Sequence, residues 1–182
     1  MDLVDLIIEK RFVGQEFLTW LWWKSEERGG SVEIPDIGDI IIVFEKHMLL
    51  EFGEAEYSEK MVCSGLQTEL REARTGLRTG KKLEQARLHI VKGDYEWNVT
   101  LGATIFEYRS VRPPKTTASV PDHQASPEET EGMILERIFL FEELVRIVDD
   151  LFRLYLRARL GNDWQQQLQL MRRWVEQAAA KV

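Results

Sequence analysis

The sequence predicts an α+β fold: a mainly antiparallel sheet with packed helices, and a long C-terminal helix as an appendage. Three observations carry the prediction. Short apolar and β-branched runs, separated by Gly, Pro and Asp turns, fill residues 31–108. Gly93-Asp94, between two alternating segments, is a two-residue hairpin signal. Helical periodicity then sets in at Ile134 and continues to Tyr155.

Residues Phe12 to Arg28 read as a helix closed by Gly29-Gly30, with Val13, Phe17, Trp20, Leu21 and Trp22-Trp23 on a broad apolar face. The Trp20–Trp23 cluster suits core packing; a platform on which bases stack is the alternative. Strands follow at Ser31–Ile34 and Asp39–Glu45 around a Pro35-Asp36-Ile37-Gly38 turn. The continuous run Ile40 to Phe44 predicts a central strand covered on both faces, with His47–Phe52 as a neighbouring strand. Tyr57 to Cys63 is a further strand, leading into a helix whose start, Ser64-Gly65-Leu66-Gln67, fits a capping box. Leu66, Leu70, Ala73 and Leu77 give that helix one inward stripe, and Gly80 ends it. Ala86, Leu88 and Ile90 then pair across the hairpin with the return strand that carries Trp97, Val99 and Leu101, which leaves Arg87 and His89 on the opposite face.

Pro113-Pro114, Pro121 and Pro127, interleaved with Thr and Ser, mark a flexible linker. The chain thus divides into a body (residues 1–109), a linker (110–131) and a C-terminal helical segment (132–182). In that last segment Ile134, Ile138, Phe141, Val145, Val148, Phe152 and Tyr155 repeat at alternating spacings of four and three, the rhythm of a helix that packs lengthwise on another. A second row, Leu140, Leu144, Ile147, Leu151 and Leu154, runs beside it, so one row meets the body and the other is free for a second copy of the chain. Ile138, Phe141, Val145, Val148, Phe152 and Tyr155 are the expected homodimer interface. Gly161-Asn162-Asp163 precedes a last helix with Leu168, Met171, Trp174 and Val175 inward.

Composition bounds the function. With 182 residues, 44% hydrophobic, six Trp and eight Phe, the chain folds around one sizeable core. The single Cys63 suits a reducing cytosol and a small buried apolar role. The N-terminus has no signal-peptide layout, and no apolar run approaches the ~20 residues of a membrane span. A soluble, cytoplasmic protein with no membrane partner is expected.

Charge is unevenly spread. Between Lys60 and Lys92 eight basic residues face three acids, a local +5 in a chain of net −7. Arg71, Arg74 and Arg78 line one face of the helix, Lys81-Lys82 follow its end, and Arg87 lies on the next strand. These six are the candidate contacts to a phosphate backbone, which such side chains grip without reading sequence. A solvated helix laced by ion pairs is the competing reading.

No catalytic constellation stands out. His47, His89 and His123 are scattered, adjacent acids such as Glu142-Glu143 and Asp149-Asp150 diverge on a helix, and no nucleotide or nucleophile motif occurs. Gly76 to Lys82 has the wrong spacing for a phosphate loop. The expectation is a non-enzyme without cofactor or metal; metal-dependent nuclease chemistry is the least supported reading.

The order of features from Cys63-Ser64-Gly65 to Leu77-Arg78-Thr79-Gly80-Lys81-Lys82, then Leu88 and Trp97, resembles the C-terminal half of the RdgC family of recombination-associated proteins. The helix from Ile134 onward is similar to that family's closing helix. The resemblance implies an α+β dimer that binds duplex DNA without sequence preference, restrains RecA-dependent recombination and lies with the nucleoid in the cytoplasm. Gly80, Lys81 and Lys82 match the family's glycine–basic–basic motif. The family's N-terminal half has no counterpart in the matched portion, so a closed ring around DNA is not implied. An assembly module using the helix at residues 134–155, with no nucleic-acid role, is the alternative.

Overall fold

A computed structural model describes residues 12–35, 37–52, 59–64, 69–115 and 127–177. Among the described residues four helices and six strands follow in the order α1 (Phe12–Glu27), β1 (Ser31–Ile34), β2 (Gly38–Phe52), β3 (Glu59–Ser64), α2 (Glu69–Arg78), β4 (Lys82–Lys92), β5 (Tyr95–Gly102), β6 (Tyr108–Arg112), α3 (Pro127–Leu160) and α4 (Trp164–Gln177). Every strand pairing among the described residues is antiparallel, which establishes the α+β class.

One long strand organises the sheet. Residues 39–45 and 47–52 are not neighbours, as expected, but the two ends of β2, which runs for 15 residues. Along one edge β1 pairs with its first part and β3 with its last, while β4 covers the other edge and β5 and β6 follow outward. A register shift between Phe44 and Met48 lets β2 bend without ending. The β4–β5 hairpin closes with Lys92 opposite Tyr95, so Gly93-Asp94 is the two-residue turn, with Gly93 at φ 58°.

The helices share one face of the sheet. Ile40, Ile42 and Phe44 of β2, Leu88 and Ile90 of β4 and Trp97 and Val99 of β5 point towards them and are buried. Ile41 and Val43, between those residues, are 47% and 46% exposed. The expectation of a strand covered on both faces is therefore corrected: the apolar run is continuous, but a single helix layer covers only alternate residues. Phe17, Trp20 and Leu21 of α1 fill the middle of the core, joined by Leu144, Ile147, Leu151 and Tyr155 of α3. The C-terminal half of α3 therefore belongs to the same core as the body.

Two expected boundaries shift. Residues 110–112 of the expected linker form the end of β6, and residues 127–131 form the first turns of α3. The capping box at residues 64–67 lies largely outside the described residues.

At Gly14 the first helix comes up against the end of β5. A Cβ there would sit 1.9 Å from the Ala103 carbonyl oxygen, a backbone atom that cannot step aside. Helix propensity alone would favour alanine by ~1 kcal/mol. Here the clash outweighs it, so Gly14→Ala is expected to lower stability by about 1–3 kcal/mol, read as a lower urea midpoint at unchanged m-value.

Candidate functional site

The end of α2 shapes the basic region. Gly80 takes φ 92°, its N–H donates to the Leu77 carbonyl at 3.0 Å and the Lys81 N–H to the Gly76 carbonyl at 3.0 Å. These paired bonds are a Schellman cap, which a residue with a Cβ adopts only with strain. The cap turns the chain sharply and launches Lys81 and Lys82 beside Arg78.

The structure separates the six candidate cations. Arg74 leaves the row entirely: its guanidinium lies 5.6 Å from the Trp22 ring and 4.6 Å from the Trp174 ring and pairs with Glu26. Glu26 also accepts the indole N–H groups of Trp22 at 2.8 Å and Trp174 at 2.9 Å, so one carboxylate ties α1, α2 and α4 together. Arg87 lies on the open face of the sheet and pairs with Glu45 at 2.6 Å. Lys81 pairs with Glu59 at 2.8 Å, and that lysine holds the Glu59 carboxyl below its ordinary pKa. Arg78 and Lys82 are exposed. The Arg71 side chain lies outside the described residues.

Three of the six still converge. Arg78, Lys81 and Lys82 line a groove of about 590 Å³ between α1, α2 and α4, and Arg172 of α4 joins them. Arg172 was not among the expected contacts. Its signal in the sequence is its place beside Met171 and four residues after Leu168, on the edge of the inward face of α4. Leu77, Leu168, Met171 and Val175 supply the groove's apolar lining, and Gln15, Glu16 and Thr19 of α1 its polar residues.

Trp20, Trp22 and Trp23 are at most 5% exposed, which decides for packing over a base-stacking platform. Trp22 stacks on Phe44 with ring centroids 5.8 Å apart.

The expected dimer row along α3 also divides. Val148 and Tyr155 are 2% and 0% exposed, and Phe152 packs on Phe17, Phe106 and Tyr155. Those three positions are corrected from interface to core, because the chain's own body covers the C-terminal half of the helix. Val145 is half-buried. Ile138 and Phe141 are 49% and 42% exposed, together with Ile134, Leu135 and Phe139 at 54%, 58% and 57%. Leu135 and Phe139 extend the exposed row; their four-residue spacing beside Ile134 and Ile138 is the signal for them.

Two tyrosines fasten α3 to the body. The Tyr155 hydroxyl donates to Glu16 at 2.9 Å, and Arg159 Nε donates to the same oxygen at 2.9 Å. Burial and the Glu16 charge hold the Tyr155 phenol above its ordinary pKa, with Arg159 opposing them. Burial and then Asp149 push the Tyr108 phenol up to about 12. Both phenols bind their protons more tightly folded than unfolded. Their contribution to stability is complete below pH ~10, the unfolded value, and is lost as pH rises through the folded values. Tyrosinate absorbance at 295 nm, followed with circular dichroism, should show two phenols ionising only together with alkaline unfolding above pH ~11.

Among the described residues, no helix is long and apolar enough to cross a membrane. No protein-family model matches the chain, and no curated protein or solved structure matches it. What fold and site define is a class: an antiparallel α+β domain with one helix layer, a basic-rimmed groove and a helix whose first half carries uncovered apolar side chains.

Proposed function

We propose that the chain is a non-catalytic assembly module in which two copies join through the N-terminal half of α3. One observation carries this reading: Ile134, Leu135, Ile138, Phe139 and Phe141, on successive turns of one helix, are all 42–58% exposed. At roughly 100 Å² each they present on the order of 500 Å² per copy, and a two-fold pair doubles it to about 1,000 Å², the lower bound for a specific interface. Isolated exposed leucines are ordinary; five large apolar side chains on adjoining turns are not.

The placement of the bodies favours one orientation. Each body packs on the C-terminal half of its own α3, and an antiparallel pair keeps the two bodies at opposite ends. A parallel pair would press the bodies together. In the antiparallel register Ile138 meets Phe141 of the partner subunit and Ile134 meets Val145 of the partner subunit, the alternating layers of a two-helix seam. Light scattering over a dilution series tests the reading: the mass should fall from twice 21.3 kDa towards 21.3 kDa as concentration drops.

A second reading, sequence-independent DNA binding with a part in RecA-dependent recombination, draws support from the gathering of Arg78, Lys82 and Arg172 on one groove. With Arg74, Lys81 and Arg87 already paired to carboxylates, about three phosphates are neutralised, and the log–log salt slope is expected near −2.7. Fluorescence anisotropy on random duplex measures it. A slope near zero, or no binding at 50 mM salt, would remove this reading.

A further inference from the structure

Phosphate contacts account for the cations of the groove but not for its apolar lining. We propose that the groove between α1, α2 and α4 binds an alkyl chain that ends in an anionic group. Its volume, about 590 Å³, lies within the range of small-molecule sites. Leu77 on one wall and Leu168, Met171 and Val175 on the other offer a chain continuous apolar contact.

The polar residues of the groove from α1 make little claim on a ligand. Gln15 donates to Glu84 at 2.8 Å, the Thr19 hydroxyl donates to the Gln15 carbonyl at 2.8 Å, and Glu16 accepts Tyr155 and Arg159. With those hydrogen bonds already made inside the protein, the α1 side chains offer the middle of a ligand less than the apolar walls do. The charged end is different. Arg78, Lys82 and Arg172 are exposed around the groove, and Glu176 is the acid nearest Arg172 in sequence among the lining residues. A carboxylate or phosphate monoester placed among these cations gains charge-assisted hydrogen bonds.

Such a group arrives either as a free long-chain acid or as the acidic end of a single-chain lipid, and the test separates the two. Dodecanoate is titrated calorimetrically into the full chain below its micelle concentration, beside dodecyltrimethylammonium, lysophosphatidic acid and inorganic phosphate. Saturable binding of one dodecanoate per chain is expected, with dodecyltrimethylammonium at least about tenfold weaker and inorganic phosphate without measurable heat. Lysophosphatidic acid binding at least tenfold more tightly than dodecanoate identifies the lipid as the source; equal or weaker binding identifies the free acid. The double variant Lys82→Ala/Arg172→Ala, altered only at exposed positions, should lose about tenfold in dodecanoate affinity at an unchanged urea midpoint. Leu168→Asp should abolish binding. The proposal is overturned if dodecanoate gives no saturable heat, if the cationic detergent binds equally well, or if the double variant binds like the parent. It is equally overturned if inorganic phosphate or random duplex binds the groove while dodecanoate does not. None of these outcomes depends on whether two copies pair through α3.

Discussion

Ile138→Asp combined with Phe141→Asp is expected to leave a folded monomer. In the paired state both side chains are enclosed by the second copy, and burying two carboxylates without partners costs several kcal/mol. Association should weaken by more than about 100-fold, seen as a sedimenting mass of 21.3 kDa at every concentration at which the parent is double that. Within one copy both positions are exposed, and the Phe141 ring touches that of Tyr108 edge to face at 5.9 Å. Loss of fold stability should therefore stay near 0.5–1 kcal/mol. Leu151→Asp provides the contrast, because Leu151 is fully buried in the chain's own core and its replacement unfolds the protein. A double variant that kept the parent's mass would show that the exposed turns are not the interface.

Arg74→Ala should be the most damaging change among the basic residues, and for stability alone. The guanidinium lies against two indoles that meet edge to face, and against Glu26, with its side chain 20% exposed. Removing it withdraws two cation–π contacts and leaves Glu26, in the seam between α1, α2 and α4, without its counter-charge. A loss of about 2–3 kcal/mol is expected, measured by urea denaturation. Arg74→Lys keeps the charge but not the planar, multiply donating guanidinium, so it should restore less than half of the loss. The same substitution should leave affinity for random duplex unchanged at temperatures where the protein stays folded. A fall in duplex affinity without a fall in stability would return Arg74 to the nucleic-acid row.

What the sequence made legible is what depends on neighbours along the chain. The turn at Gly93-Asp94 and the helix stop at Gly80 rest on backbone conformations that glycine supplies, and both stand where the residues place them. Helix spacing likewise showed that Arg74 and Arg78 share a side of α2. It could not show that Glu26, 48 residues earlier, would take Arg74 out of the row. That pairing exists only because α1 and α2 pack together. The same limit governs β2: Ile40 to Phe44 look alike in sequence, and only the single helix layer makes Ile41 and Val43 the uncovered ones. On α3 the four-three rhythm was plain from Ile134 to Tyr155. Where the body stops covering it, near Leu140, is a property of the tertiary fold. The groove draws its residues from three helices far apart in the chain, and for that reason Arg172 carried only a weak local signal.

The central claim, that two copies meet through antiparallel first halves of α3, is tested most directly by spin labels at single cysteines in a Cys63→Ala background. In the register that pairs Ile138 with Phe141 of the partner subunit, labels at Glu142→Cys should lie about 12 Å apart and labels at Glu131→Cys about 27 Å apart, from a rise of ~1.5 Å per residue and helix axes ~9 Å apart. Short separation at both positions would mean a parallel pair, and no dipolar coupling at either would mean that α3 does not join two copies at all.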